Sequence, residues 1–83
     1  MQIIYSSKFE KQYRKLPLLI KDIAEEKERV FRENPFNLSL KTHKLHGTLN
    51  NYYAFSLNNK YRIIFDLENN TARFHSIGTH DIY

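Results

Sequence analysis

The chain has 83 residues, and thirteen Lys/Arg against nine Asp/Glu leave it with a net charge of +4. That is enough for one domain spanning 1–83 and no more, and a domain of this size buries only about 60–65 % of its unfolded surface. The absence of cysteine excludes a disulfide framework and a thiolate metal cluster. No apolar run approaches the ~20 residues of a membrane span, and Met1-Gln2-Ile3-Ile4-Tyr5 lacks the basic start and long apolar core of a signal peptide. The expected setting is cytoplasmic, with no membrane partner.

Residues 2–5 read as a short strand. Ser7-Lys8-Phe9-Glu10 reads as a capping box, in which the serine accepts an orphan N–H and the glutamate reaches back. Phe9, Tyr13 and Leu16 follow at helical spacing. Pro17 suits the first turn of a second helix, predicted from about Leu18 to Glu33. Ile20, Ile23, Ala24, Val30 and Phe31 line one face of it, with the Lys27 stem alongside. Asn34-Pro35 stops it, because the residue before proline avoids the helical region. The two helices make an αα-hairpin.

Residues 35–51 read as a long irregular loop, and long loops in small domains are often functional. It carries Lys41, His43, Lys44 and His46, with Leu38, Leu40 and Leu45 as expected anchors to the core. Three strands follow. Tyr52–Leu57 alternates Tyr53, Phe55 and Leu57 against Tyr52, Ala54 and Ser56, and Asn58-Asn59 is predicted as a two-residue turn at positive φ. Lys60–Asp66 alternates Tyr61, Ile63 and Phe65 against Arg62, Ile64 and Asp66. Glu68-Asn69-Asn70 turns the chain again. In Thr71–Ile77 simple alternation puts Arg73, His75 and Ile77 on one face and Ala72, Phe74 and Ser76 on the other. The predicted fold is α+β, β-α-α-β-β-β, with the αα-hairpin packed on one face of an antiparallel sheet and the other face partly open.

The residues that can carry chemistry are few. Arg62 interrupts an apolar strand, so its charge faces solvent or a partner. A guanidinium fits phosphate oxygens bidentately and stabilises charge building on phosphorus. Its structural alternative is an ion pair with Asp66 on the same face. His43 and His46 lie three apart between lysines, and three readings stand: metal ligation, RNA chemistry, or solvated histidines capping the backbone. No cysteine or nearby carboxylate completes a metal set. His80 and Tyr83 follow Gly78; histidine exchanges a proton near neutral pH, and a terminal tyrosine stacks on a base. Their alternative is a simple tail.

Ser7-Lys8-Phe9, Leu45-His46-Gly47, Tyr52-Tyr53, Tyr61-Arg62-Ile63-Ile64-Phe65 and Ile77-Gly78-Thr79-His80, in this order and spacing, resemble the RelE/ParE superfamily of type II toxins, and within it the YafQ- and YoeB-like mRNA interferases. The resemblance runs over nearly the whole chain. It implies a metal-independent, ribosome-dependent endoribonuclease that needs no cofactor and cuts mRNA in the A site of the small ribosomal subunit. The 2′-hydroxyl attacks the adjacent phosphate and leaves a 2′,3′-cyclic phosphate. It assigns His80 as general acid, His43 as base or phosphate ligand, Arg62 as charge stabiliser and Tyr83 as a base-stacking or proton-transfer aid. Lys41, Lys44, His46, Lys60 and Arg73 are its implied RNA contacts. The implied partners are a cognate antitoxin, the ribosome and its mRNA, with operator DNA reached only through the antitoxin complex. The chain departs from the pattern in Tyr53-Ala54-Phe55-Ser56-Leu57, where active nucleases carry a further basic residue, and in Lys60, where the YafQ pattern has an aspartate. The alternatives are a gyrase inhibitor of the ParE kind and a degenerate, antitoxin-binding relative.

Overall fold

The computed structural model describes residues 1–49 and 51–80. Its elements run β1 (Gln2–Tyr5), α1 (Ser7–Arg14), α2 (Leu18–Glu33), β2 (His43–Lys44), β3 (Tyr53–Ser56), β4 (Arg62–Glu68) and β5 (Thr71–Gly78), with 3-10 turns at Leu38–Leu40 and Gly47–Leu49. Among the described residues the strands form one sheet in the order β1-β5-β4-β3-β2. β2 to β5 are antiparallel, while β1 lies parallel to β5, with Ile3 opposite Ala72 and Tyr5 opposite Phe74. The sheet is therefore mixed rather than antiparallel throughout. The parallel ladder is extended by the Ser6 N–H, which donates to the Phe74 carbonyl at 3.0 Å, so the chain leaves β1 directly above the core and enters α1 there.

The helix begins one residue earlier than the capping box predicts. Ser6 is the cap: its Oγ accepts from the Phe9 N–H at 2.9 Å and donates to the His75 carbonyl at 2.7 Å. Adjacent serines offer the same side chain twice, and the strand pairing of Ser6 selects the first. In α2, Ile20, Ala24 and Phe31 are buried, with Ile23 and Val30 packed against them, the face that the helical period predicts. Phe31 sits at the centre of this layer, its ring centroid 4.9 Å from Phe55, 4.9 Å from Phe65 and 5.1 Å from Phe74.

The loop of 35–51 is partly ordered by short elements, β2 among them. Its leucines separate: Leu40 is fully buried under the helices and Leu45 is buried on the opposite face, but Leu38 is 93 % exposed. Leu38 opens a 3-10 turn that Asn37 caps through Ser39, and a turn that tight sends Leu38 and Leu40 in different directions. It does not anchor the core.

The two hairpins exchange the expected geometries. Leu57 N–H bonds the Tyr61 carbonyl at 2.9 Å, which leaves Asn58, Asn59 and Lys60 as a three-residue loop. Asn58 works through its side chain, with Oδ1 accepting from the N–H groups of Lys60 and Tyr61, and positive φ is not used there. It is used at Asn69 and Asn70, φ 52° and 61°, the two-residue turn with positive φ at both positions that matches strand twist.

β5 carries an irregularity that alternation cannot show. Ile64 pairs with Ser76 but Phe65 pairs with Phe74, so His75 is an extra residue, a β-bulge. Ala72 and Phe74 before it and Ile77 after it all reach the helix-side core, whereas His75 and Ser76 lie with Ile64 on the other face. The Ile77 N–H donates to Oε1 of Gln12 at 2.9 Å, so a helix side chain takes up a strand amide.

Candidate functional site

The face of the sheet away from the helices carries the candidate residues. Its apolar floor is small: Leu45, Ala54 and Ile64 are buried, with Tyr52 packed against them. Polar groups bound the floor at both ends. At one end Arg62 lies opposite Ser56 on β3 and Gly78 on β5. The β5 pairing carries the chain on to His80, whose Nε2 is 2.9 Å from Nη2 of Arg62. A guanidinium offers only donors, so Nε2 accepts, and the proton of the neutral imidazole sits on Nδ1. The contact joins residues eighteen positions apart.

His43 is on the same face, opposite Ala54, which in turn faces Ile64. Two strands and two residues separate it from Arg62, about 12 Å between backbones. Lys41 adopts the left-handed conformation at φ 53° and turns its carbonyl towards His43, 3.2 Å from Nδ1. A carbonyl only accepts, so Nδ1 carries the proton and the Nε2 lone pair is left for other work. An arginine–histidine pair at one end of this face and a histidine of fixed tautomer across from it can bind a phosphate and move protons on either side of it.

The remaining candidates are scattered. Lys44 pairs with Tyr53, whose ring belongs to the helix-side layer, so it faces away from His43. Lys41 and His46 are exposed. Lys60 lies in the β3–β4 loop with Nζ 5.9 Å above the Tyr61 ring. Arg73 is on the open face, but its Nε donates to Asp66 at 2.9 Å and its Nη2 is 4.0 Å from Glu68; the hydrogen bond to Asp66 is the main reason its pKa is raised. Asp66 thus pairs with Arg73 and not, as the structural alternative for Arg62 has it, with Arg62. Tyr83 lies outside the described residues. Sequence reading does not single out Tyr52 as a site residue; the available signal is the alternation that puts it on the face of Arg62 and Asp66.

Among the described residues no three His, Cys, Asp or Glu side chains converge to hold a metal ion, and no helix is long and apolar enough to cross a membrane. A cleft of about 410 Å³ opens on the helix side, among Tyr5, Phe9, Tyr13 and Glu28. It contains none of the candidates.

No protein-family model matches the chain, and no curated protein does. Solved structures do. YafQ from E. coli strain BL21(DE3) superposes with a TM-score of 0.82 at 21 % identity over 98 % of this chain and 94 % of its own. A YoeB/ParE toxin from Agrobacterium tumefaciens gives 0.83 at 13 % identity over 96 % and 99 %. The E. coli DinJ–YafQ toxin–antitoxin complex gives 0.75 at 24 % identity over 98 % and 93 %. The chain has the fold of these toxins, two helices on a five-stranded mixed sheet.

Proposed function

We propose that this RelE-like fold serves here as the toxin of a type II toxin–antitoxin system, a ribosome-dependent mRNA endonuclease. The observation that carries the reading is the Arg62–His80 pair on the uncovered face, 2.9 Å apart. In the proposed reaction His43 takes the 2′-hydroxyl proton on Nε2. The 2′-oxygen attacks the adjacent phosphorus, the bond to the 5′-oxygen breaks, and a 2′,3′-cyclic phosphate remains. Arg62 turns from His80 to the phosphate and meets the charge that develops on it. That frees Nε2 of His80, which takes up a proton and delivers it to the leaving 5′-oxygen. Tyr83 stacks on a base beside the cut or assists this transfer, and Lys41, His46 and Lys60 draw in the backbone. No metal is required, because every proton and charge has a side chain assigned to it.

The proposed partner in the resting cell is an antitoxin, as DinJ is for YafQ in their complex. An extended acidic protein that folds on binding suits a chain of net charge +4. Operator DNA is reached through that complex, and the cytoplasm is the compartment where ribosomes and mRNA meet it. One observation favours a second reading. The stretch Tyr53-Ala54-Phe55-Ser56-Leu57, which pairs with Arg62 through Ser56, holds no basic residue, as a degenerate antitoxin-binding relative would have it.

The test is primer extension on a reporter mRNA after induction in cells, with translated and start-codon-less messages and His80→Ala alongside. Cuts in the translated message alone, lost in the variant, are the expected result. Growth arrest with intact mRNA overturns the nuclease in favour of a gyrase-directed poison. Neither arrest nor cleavage favours the degenerate relative.

A further inference from the structure

The other end of the open face is a second shallow cleft, of about 390 Å³, walled by Tyr52, Asp66, Glu68 and Arg73. Its charge is unlike that of the Arg62 end. One guanidinium is held by two carboxylates, at 2.9 Å from Asp66 and 4.0 Å from Glu68, so the cluster carries one net negative charge and repels phosphate. It also has an aromatic wall: the half-buried Tyr52 ring rests on Leu45, Ala54 and Ile64 and meets the His75 ring at 5.2 Å. The bulge at His75 makes this contact, since it keeps that ring on the open face while Ile77 returns to the core.

An aromatic ring beside a carboxylate, on a surface that disfavours phosphate, fits a nucleobase. The ring stacks on any base. The carboxylate selects among them, because it accepts hydrogen bonds and donates none. Guanine alone shows two adjacent donors on its Watson–Crick edge, N1–H and N2–H, which one carboxylate takes together. The Arg73 N–H on Asp66 Oδ1 fixes the orientation of that carboxylate. Asp66 is four residues along β4 from Arg62, about 13 Å, or roughly two nucleotide steps of an extended strand.

Resting on the nuclease reading above, we propose that Tyr52 and Asp66, with Arg73 as a positioning residue, form a subsite that reads a guanine about two nucleotides from the cut. The test uses purified ribosomes programmed with mRNAs that differ in one base, placed in turn two nucleotides to either side of the cleaved bond. kcat/KM is measured for the wild type, Tyr52→Ala, Tyr52→Phe, Asp66→Asn and His80→Ala. The expected wild-type result is guanine cut about ten-fold faster than adenine on one side. Asp66→Asn brings guanine down to the adenine rate. Tyr52→Ala slows every message about ten-fold, and Tyr52→Phe, which keeps the ring and its packing, restores the rate. A wild type without base preference overturns the subsite and leaves the nuclease standing, and so does a guanine preference that survives in Asp66→Asn. A wild type as inert as His80→Ala on every message overturns the nuclease reading and the subsite with it.

Discussion

On the helix-covered face of the sheet, Phe31 meets Phe55, Phe65 and Phe74 with centroids 4.9 to 5.1 Å apart. On the other face, among the described residues, only Leu45, Ala54 and Ile64 form a buried apolar cluster, and Arg62, His43, His80, Asp66 and Arg73 surround it. Both faces belong to the same strands, so one residue in two serves stability and its neighbour serves the surface. Large rings with no polar atoms fill a layer that water must not enter. Small side chains leave a shallow floor around which charged groups stay hydrated and pair with one another, as Arg62 does with His80 and Arg73 with Asp66. The difference teaches that chemistry on the open face is separable from folding, since little of the core is spent there.

The comparison is broken most directly from its covered side. Phe31→Ala removes the central ring of the layer and is expected to cost about 3–5 kcal/mol, a large share of the roughly 4–12 kcal/mol that a domain of this size has. Urea unfolding of this variant and of Tyr52→Ala, its counterpart on the open face, measures the contrast; equal losses would mean that the open face is a second core. Arg62→Lys probes the other side. A compact ammonium cannot give the phosphate two parallel N–H bonds from a planar fork, so cleavage on programmed ribosomes should fall about a hundred-fold while the unfolding free energy stays within about 0.5 kcal/mol of the wild type.

Ser6→Ala sharpens the comparison at the seam between the faces. It removes the cap of α1 and the bond to the His75 carbonyl together, an expected loss of about 1–2 kcal/mol in denaturant unfolding. The smallest effect lies at high pH. Burial of the Tyr5 ring, helped by its hydrogen bond to Glu28, pushes its hydroxyl from 10.0 up to about 12. The folded state then holds this proton more tightly than the unfolded chain. Its stabilising contribution is complete below pH 10 and is lost as the pH rises from there through about 12. Tyr5→Phe should flatten that alkaline decline in the unfolding midpoint; an unchanged slope would count against the Glu28 contact.

Much of this was legible from periodicity. Ile20, Ala24 and Phe31 declare the buried stripe of α2, and Phe55, Ile63 and Phe65 declare the covered face, because burial repeats with the pitch of the element that carries it. Leu38 and Leu40 had no period to separate them, and two adjacent serines left the cap ambiguous until strand pairing chose. Arg62 and His80 were found by residue type and resemblance. Their meeting depends on the β4–β5 register that puts Arg62 opposite Gly78, and register is set by long-range pairing that no local window contains. Asp66 and Arg73 were each visible, but their bond was not, for the same reason.

The extra residue in β5 sets how this chain tolerates insertion and deletion. His75 acts as a spacer that shifts the pleat by one position. Removing it would give an unbroken ladder in which Phe74 still faces the helices, Ser76 the open face and Ile77 the helices again, so the segment that delivers His80 to Arg62 would arrive in the same orientation. What would go with it is the His75 ring against Tyr52, 5.2 Å away, and the local twist that a bulge adds: the ladder can lose this residue, and its identity, more than its occupancy, is what the open face uses.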